Sequence, residues 1–439
     1  MGRDHGVRRA IGAGRTFRSF FWVGIAFGLV GGGAAAAVPP EIPLVPRLGV
    51  GARALGMGGA YTAVADDYAA LYYNPAGLAQ IRRTEFGIGF DHRSVKSINT
   101  YLGNRESTPL DKTRIESLGF AYPFPTYRGS LVIGMAYHRV ATFDQDYFRQ
   151  GSGGEIVSES ESIREDGSLG SYEAGFAWDL SPTLSVGAAG VILAGSSDRH
   201  RDFEYEGDNG IDFESTITQT HMDITAITGT LGAMVRFDPK VRLGMALHLP
   251  ESFNLDGRIL DDVIRYQADP VDTLDYVDEY SFKDDLSLPF RFSAGLSYAS
   301  RGLLVSGDLT YADWKEIDYD GPIRNGRDYA YRATTDLRFG VEYALPTEPP
   351  VRIRAGFISQ PLAYQLIATD VFYGVANKAD LTRDNRYFTL GGGILLDRSL
   401  TLDLSYVFGG YKREGSSPVG RTVEEIKDRR LNLAATFRL

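Results

Sequence analysis

The stretch 385–411, NRYFTLGGGILLDRSLTLDLSYVFGGY, contains two strands and the turn between them. From 400 to 408, Leu400, Leu402, Leu404, Tyr406 and Phe408 fall on one face, and Thr401, Asp403, Ser405 and Val407 on the other. That two-residue period marks a strand with one apolar side. Asp397-Arg398-Ser399 is a short polar break, as a tight turn requires. The pattern recurs outward. Residues 336–343 set Leu337, Phe339, Val341 and Tyr343 against Asp336, Arg338, Gly340 and Glu342, and 431–439 set Leu431, Leu433, Ala435, Phe437 and Leu439 against Asn432, Ala434, Thr436 and Arg438. Strands of a soluble sandwich alternate as well, so the period alone does not name the fold.

Spacing does. Strands are expected near 84–95, 116–124, 129–142, 168–180, 184–198, 217–238, 241–251, 284–299, 302–313, 334–345, 351–361, 385–397, 400–411 and 428–439, fourteen in all. Every second connection is tight, as at Pro125–Gly129, Ser181–Thr183, Asp238–Lys240 and Asp397–Ser399. The others are long, polar and acidic, for example 143–167, 199–216 and 252–283. Segregation of loop length by parity, with an even strand number, is the arrangement of an outer-membrane β-barrel with short periplasmic turns and long external loops. Closure also removes every strand edge, which a hydrocarbon environment demands. The expected fold is therefore all-β, a transmembrane antiparallel barrel over 84–439 with both termini periplasmic. Strand phase turns Arg236, Arg242, Arg291, Asp308, Arg338, Glu342, Arg352, Arg354, Asp403 and Arg438 toward the lumen.

The bulk composition agrees. There are 51 glycines, about 12% against roughly 7% on average, which suits strands that bend and approach closely. Cysteine is absent, which excludes disulfides and thiolate metal sites. Residues 1–37 hold five Arg and one Asp, so the −10 of the whole chain leaves −14 on the rest. An acidic chain without a basic run excludes nucleic-acid binding. Arg3, Arg8, Arg9, Arg15 and Arg18 precede the apolar core FFWVGIAFGLV (Phe20–Val30), which is followed by Gly31–Gly33 and Ala34–Ala37. These are the three parts of a secretory signal, with cleavage expected after Ala37.

Residues 38–83 break the strand ladder. GVGARALGMGGAYTAVADDYAALYYNPAGLA (Gly49–Ala79) is rich in small residues, with a short helix expected in 60–72 and a turn at Asn74-Pro75. A segment of small side chains between the signal and the first strand fits inside a barrel. GMGGA, AVADD and NPAGLA within it resemble the N-terminal hatch of the FadL-type outer-membrane transporters, especially their PorV-like branch, and Leu286–Tyr298 (LSLPFRFSAGLSY) resembles a further segment of these proteins. The resemblance implies a fourteen-stranded barrel plugged by a hatch over 38–83, with Asn74, Pro75, Ala76 and Gly77 as the hatch motif. It also implies carriage of long-chain fatty acids or other hydrophobic compounds. The chain departs from the usual pattern in ending on Leu439 rather than Phe, with Phe437 two places earlier.

No enzyme is expected. His5, His92, His138, His200, His221 and His248 show no metal-binding spacing, and no nucleophile elbow, Walker loop or dinucleotide fingerprint occurs. Asp318, Asp320 and Gly321 only faintly resemble a calcium loop, and neither metal nor cofactor is expected. Three functions suit such a barrel: transport of hydrophobic molecules, docking of secretion-machinery proteins as PorV-like relatives do, and a general porin. The hatch-like segment counts against the porin. An apolar pocket at Leu362, Tyr364, Leu366, Ile367, Val371 and Phe372 would favour transport. A fatty-acid carboxylate needs a cationic partner, and Arg291, Arg338 and Arg354 are the lumen candidates, because guanidinium forks onto a carboxylate with two parallel hydrogen bonds. The expected partners are outer-membrane lipid and a hydrophobic small molecule.

Overall fold

A computed structural model describes residues 47–439 apart from 127–128, 154–155, 208–210, 268–272, 321–326, 371–374, 398 and 418–419. The expected signal peptide lies outside the described residues, as do Gly321, Val371 and Phe372.

Fourteen antiparallel strands form the wall. In order they are Glu85–Tyr101, Asn104–Phe124, Leu131–Thr142, Ile156–Ser181, Leu184–Gly207, Ile211–Arg236, Val241–His248, Arg291–Ser300, Leu303–Asp313, Ala333–Leu345, Val351–Gln360, Val375–Leu396, Leu400–Ser417 and Gly420–Arg438. Each pairs with the next, and the last pairs back with the first through Glu85↔Arg438 and Phe86↔Phe437, closing the barrel. The turns expected at 125–129, 181–183, 238–240, 300–301, 346–350 and 397–399 fall, to within a residue, at the strand connections of one end. The end of the chain lies there too, where the Leu439 N–H donates to the Thr84 carbonyl at 2.9 Å.

At the other end the long connections are not loops. Glu85–Tyr101 stays paired with Asn104–Phe124 up to Tyr101↔Asn104, leaving Leu102-Gly103 as the turn, with φ of 47° and 87°. Positive φ at both central residues matches the right-handed twist of the flanking strands. Ile156–Ser181 and Leu184–Gly207 likewise pair up to Ile156↔Gly207. Here polar residues dominate, with a small buried cluster of Ile156, Phe203 and Tyr205, so the alternation that reveals a strand in the sequence fades while the backbone ladder continues. Two strands change phase at a proline. Val241–His248 resumes as Glu251–Gln267 beyond Leu249-Pro250, and Leu274–Leu288 resumes as Arg291–Ser300 beyond Pro289-Phe290.

The wall is inside out relative to a soluble protein. Ile227 is 75% exposed, and Met135, Phe176, Ile192, Leu296 and Leu390 are also exposed, whereas Ser185, Ser405 and His138 are 0% exposed on the inner face. Outward apolar side chains against inward polar ones are what a lipid-facing barrel of the outer membrane presents. Among the described residues no helix is long and apolar enough to cross a membrane.

Candidate functional site

Residues 47–83 run through the lumen, and glycine sets where they lie. Four cross-strand glycine pairs on the inner wall face the segment: Gly87↔Gly119, Gly187↔Gly232, Gly244↔Gly295 and Gly340↔Gly356. A Cβ on Gly244 would stand 2.1 Å from the Thr62 carbonyl oxygen, one on Gly340 2.2 Å from that of Met57, and one on Gly356 2.2 Å from the Gly58 nitrogen. The Tyr68 ring covers Gly87 and Gly119, where an added Cβ would stand 2.0 Å from a ring carbon, and Asn74–Ala76 cover Gly187 and Gly232. Backbone thus lies directly on backbone at separate places around the barrel, which only glycine permits.

Within the segment, Ala52–Gly56 and Ala70–Tyr73 are short α-helices and Pro75–Gln80 is a 3-10 helix. The helix expected over 60–72 is confined to its last turn. Gly58 and Gly59, with φ of 64° and 66°, turn the chain, and 60–69 follow the wall instead. Asn74 holds the motif together: its Nδ2 donates to the Thr62 carbonyl at 2.9 Å and to that of Ala233 at 3.1 Å, while its Oδ1 accepts from the Ala76 N–H at 3.2 Å. Pro75 opens the 3-10 helix, where its missing N–H is no loss. A Cβ on Gly77 would stand 2.1 Å from the Ala65 carbonyl oxygen. Asn74, Pro75, Ala76 and Gly77 therefore pin the segment and face no ligand space.

Charges tie the segment to the wall. Arg53 pairs with Asp66 and, at 3.1 Å, with Glu342. Arg354 is clamped between Glu342 at 2.6 Å and Asp403 at 2.7 Å, and its side chain has no exposed surface. Burial pushes the Asp66 carboxyl up, but the Arg53 guanidinium holds it below its ordinary range. Burial, and then the charge of Asp66, push neighbouring Asp67 above it.

Above the segment, toward the long hairpins, is a cavity of about 90 Å³ lined by Arg47, His248, Glu251, Arg291, Arg338 and Asp336, with Leu288, Trp314 and Leu362 as its apolar side. Glu251 bridges two arginines. Arg47 donates to its two carboxylate oxygens at 2.7 Å each, and Arg291 donates to the first of them at 2.5 Å. Arg338 donates to the carbonyls of Leu48 and Arg47 at 3.1 Å each and stands 3.9 Å from Asp336. Glu342, four residues along the same face, pairs with Arg53 and Arg354 instead. Of the three arginines singled out in the sequence, Arg291 and Arg338 line the cavity; Arg354 does not.

One side of the inner wall adjoining the cavity is apolar. Phe253, Leu255, Phe282, Leu286 and Leu288 form one buried cluster that continues to Tyr73 of the segment, with Trp314 packed against it. Of the apolar lining expected at 362–372, only part falls within the described side chains. Leu362 does line the cavity, whereas the side chains of Tyr364, Leu366 and Ile367 lie outside the described residues. Sequence reasoning missed Arg47, because it precedes the motif, and Glu251, because the phase change at Leu249-Pro250 turns odd-numbered residues inward beyond it. A proline inside an expected strand was the available signal.

The comparisons fit this architecture. A Pseudomonas aeruginosa FadL homologue aligns over 90% of this chain and 99% of its own, at 15% identity and a TM-score of 0.65. The Pseudomonas putida toluene transporter TodX aligns over 90% and 99%, at 14% identity and a TM-score of 0.62. The Ralstonia pickettii toluene transporter TbuX does so over the same shares, at 14% and 0.57. At such identities the likeness is one of fold. A search of curated proteins finds no match to the sequence. The BamG family model matches residues 51–349, more than half of the chain. The chain, a FadL-type outer-membrane barrel in fold, belongs to the BamG family.

Proposed function

We propose that the protein conducts hydrophobic small molecules across the outer membrane, with long-chain fatty acids as the favoured class, and that residues 38–83 act as the hatch that closes its lumen. The observation that carries this reading is the buried apolar cluster that includes Phe253, Leu255, Phe282, Leu286 and Leu288 and reaches, through Leu288, a cavity holding Arg291 and Arg338. An apolar tail leaving such a surface for water loses about 25 cal/mol per Å² of apolar area, so a water-filled pore does not suit it. The cavity has room for a polar headgroup and a few methylenes, which leaves the tail to the apolar wall. That toluene transporters share the fold supports the same reading.

The test is saturable binding of a labelled long-chain fatty acid to the purified barrel, compared with Phe253→Ala and Arg291→Ala. Each variant is expected to weaken binding, Arg291→Ala by about ten- to a hundred-fold, the worth of a charged hydrogen bond. Absence of saturable binding to any amphiphile would reject transport and favour a docking role with secretion-machinery proteins.

A further inference from the structure

The cavity already contains a carboxylate. Glu251 presents both oxygens to Arg47 and one of them to Arg291, and its own side chain is 4% exposed. The three side chains together retain one positive charge. Three more contacts fix Arg47 in place: Arg338 and Gln360 both donate to its carbonyl, at 3.1 and 3.3 Å, and Arg338 donates to the next carbonyl as well. Arg47 is therefore held by its backbone whether or not Glu251 is present. Arg291 projects from the wall next to His248 and Leu288, with a fifth of its side chain open to the cavity. A guanidinium pair with fixed backbones, one planar carboxylate forked between them and an apolar wall beginning at Leu288 together describe a carboxylate site occupied by a side chain of the protein itself.

We propose that Glu251 is a placeholder: it occupies the position on Arg47 and Arg291 that the carboxylate of a single-tailed anionic amphiphile takes when bound, and so sets the affinity for such ligands. This rests on the transport reading above and adds the residue that selects between charged and neutral cargo. A ligand carboxylate exchanges one carboxylate for another on the same donors, so the arginines stay paired and the cost falls on the displaced Glu251 carboxylate, which must turn to water in the cavity. A neutral amphiphile with the same tail gains nothing from the two arginines and leaves Glu251 where it is. Glu251 thereby weakens binding of carboxylates without touching binding of alcohols.

The experiment compares dodecanoate with dodecanol on the full-length protein in lipid nanodiscs, with folding of each variant verified by its gel shift on boiling. Glu251→Gln is expected to tighten dodecanoate about tenfold and to leave dodecanol within about twofold. Adding Arg291→Gln to Glu251→Gln is expected to abolish that gain. Should Glu251→Gln fail to fold, Glu251→Asp, whose shorter arm withdraws from Arg291, is expected to give a smaller gain in the same direction. Unchanged or weaker dodecanoate binding in the folded variants, or equal shifts for the acid and the alcohol, overturns the placeholder role while leaving transport standing. If neither ligand binds wild-type or variant protein, the transport reading fails and the placeholder with it.

Discussion

Gly244→Ala is the sharpest perturbation of the lumen. The added methyl would stand 2.1 Å from the Thr62 oxygen and 2.8 Å from the Ala63 Cα, both backbone atoms that cannot rotate aside. Reaching an ordinary contact of about 3.5 Å moves the segment by roughly 1.4 Å. That shift costs about 1–3 kcal/mol of overpacking. It also strains the bond from the Thr62 N–H to Asp308 at 2.7 Å and that from Asn74 to the Thr62 carbonyl at 2.9 Å. A bond to a charged acceptor is worth about 1.5–3 kcal/mol. Taking a combined loss of about 3 kcal/mol, the displaced state of the segment rises roughly a hundred-fold in population. Planar-bilayer conductance, together with tryptic cleavage at Arg53, reads that population directly. Gly190→Ala is the control, because its Cβ finds nothing nearer than the Ala174 oxygen at 4.0 Å. Equal conductance and equal protection in the two folded variants would refute the idea that the glycine pairs hold the segment in place.

Other outcomes rest on the same geometry. The mature protein should fractionate with the outer membrane and migrate differently on a gel before and after boiling, because a closed ladder survives cold detergent; recovery from the cytoplasm would contradict this. Arg354→Ala should destabilise the barrel by about 3–5 kcal/mol in urea titrations by stranding buried Asp403 and leaving Glu342 to Arg53 alone, whereas Arg291→Ala should fold with a smaller loss and show its defect in ligand binding. Deleting residues 38–80 should leave a heat-modifiable barrel of raised conductance, since the described wall strands pair with one another through their own backbones. Asp67→Asn should stabilise the protein near pH 7 and lose that advantage on acidification. The wild-type carboxyl is held above its ordinary range, so it binds its proton more readily folded than unfolded and its penalty appears as pH rises through that range.

The wall was legible because lipid imposes alternation. Each of the fourteen strands was located by its apolar outward face, and the tight turns by their polar, proline-bearing breaks. The hairpin extensions were not legible, since 104–112 and 156–166 are mostly polar and ladder pairing leaves no regular apolar alternation there. Within the candidate site, Arg291 and Arg338 followed from strand phase. Arg354 followed equally well but is enclosed by two carboxylates, because phase tells which side of a wall a residue faces and not what already stands there. Glu251 was hidden by a one-residue change of phase at Pro250, and Phe253 and Leu255 with it.

The glycine seats bear on how the chain assembles. The segment comes earliest in the described chain, yet its resting places are distributed along almost the whole length of the barrel wall: Tyr68 needs Gly87 and Gly119, Thr62 needs Gly244, and Met57 needs Gly340 and Gly356. Contacts of such sequence separation form late, because loop-closure entropy is lost before any of them rewards it. Until the later strands arrive, Tyr61, Tyr68, Leu71 and Leu78 have no surface to cover them. A nascent or truncated chain therefore carries an exposed apolar stretch, prone to aggregate until the barrel closes around it.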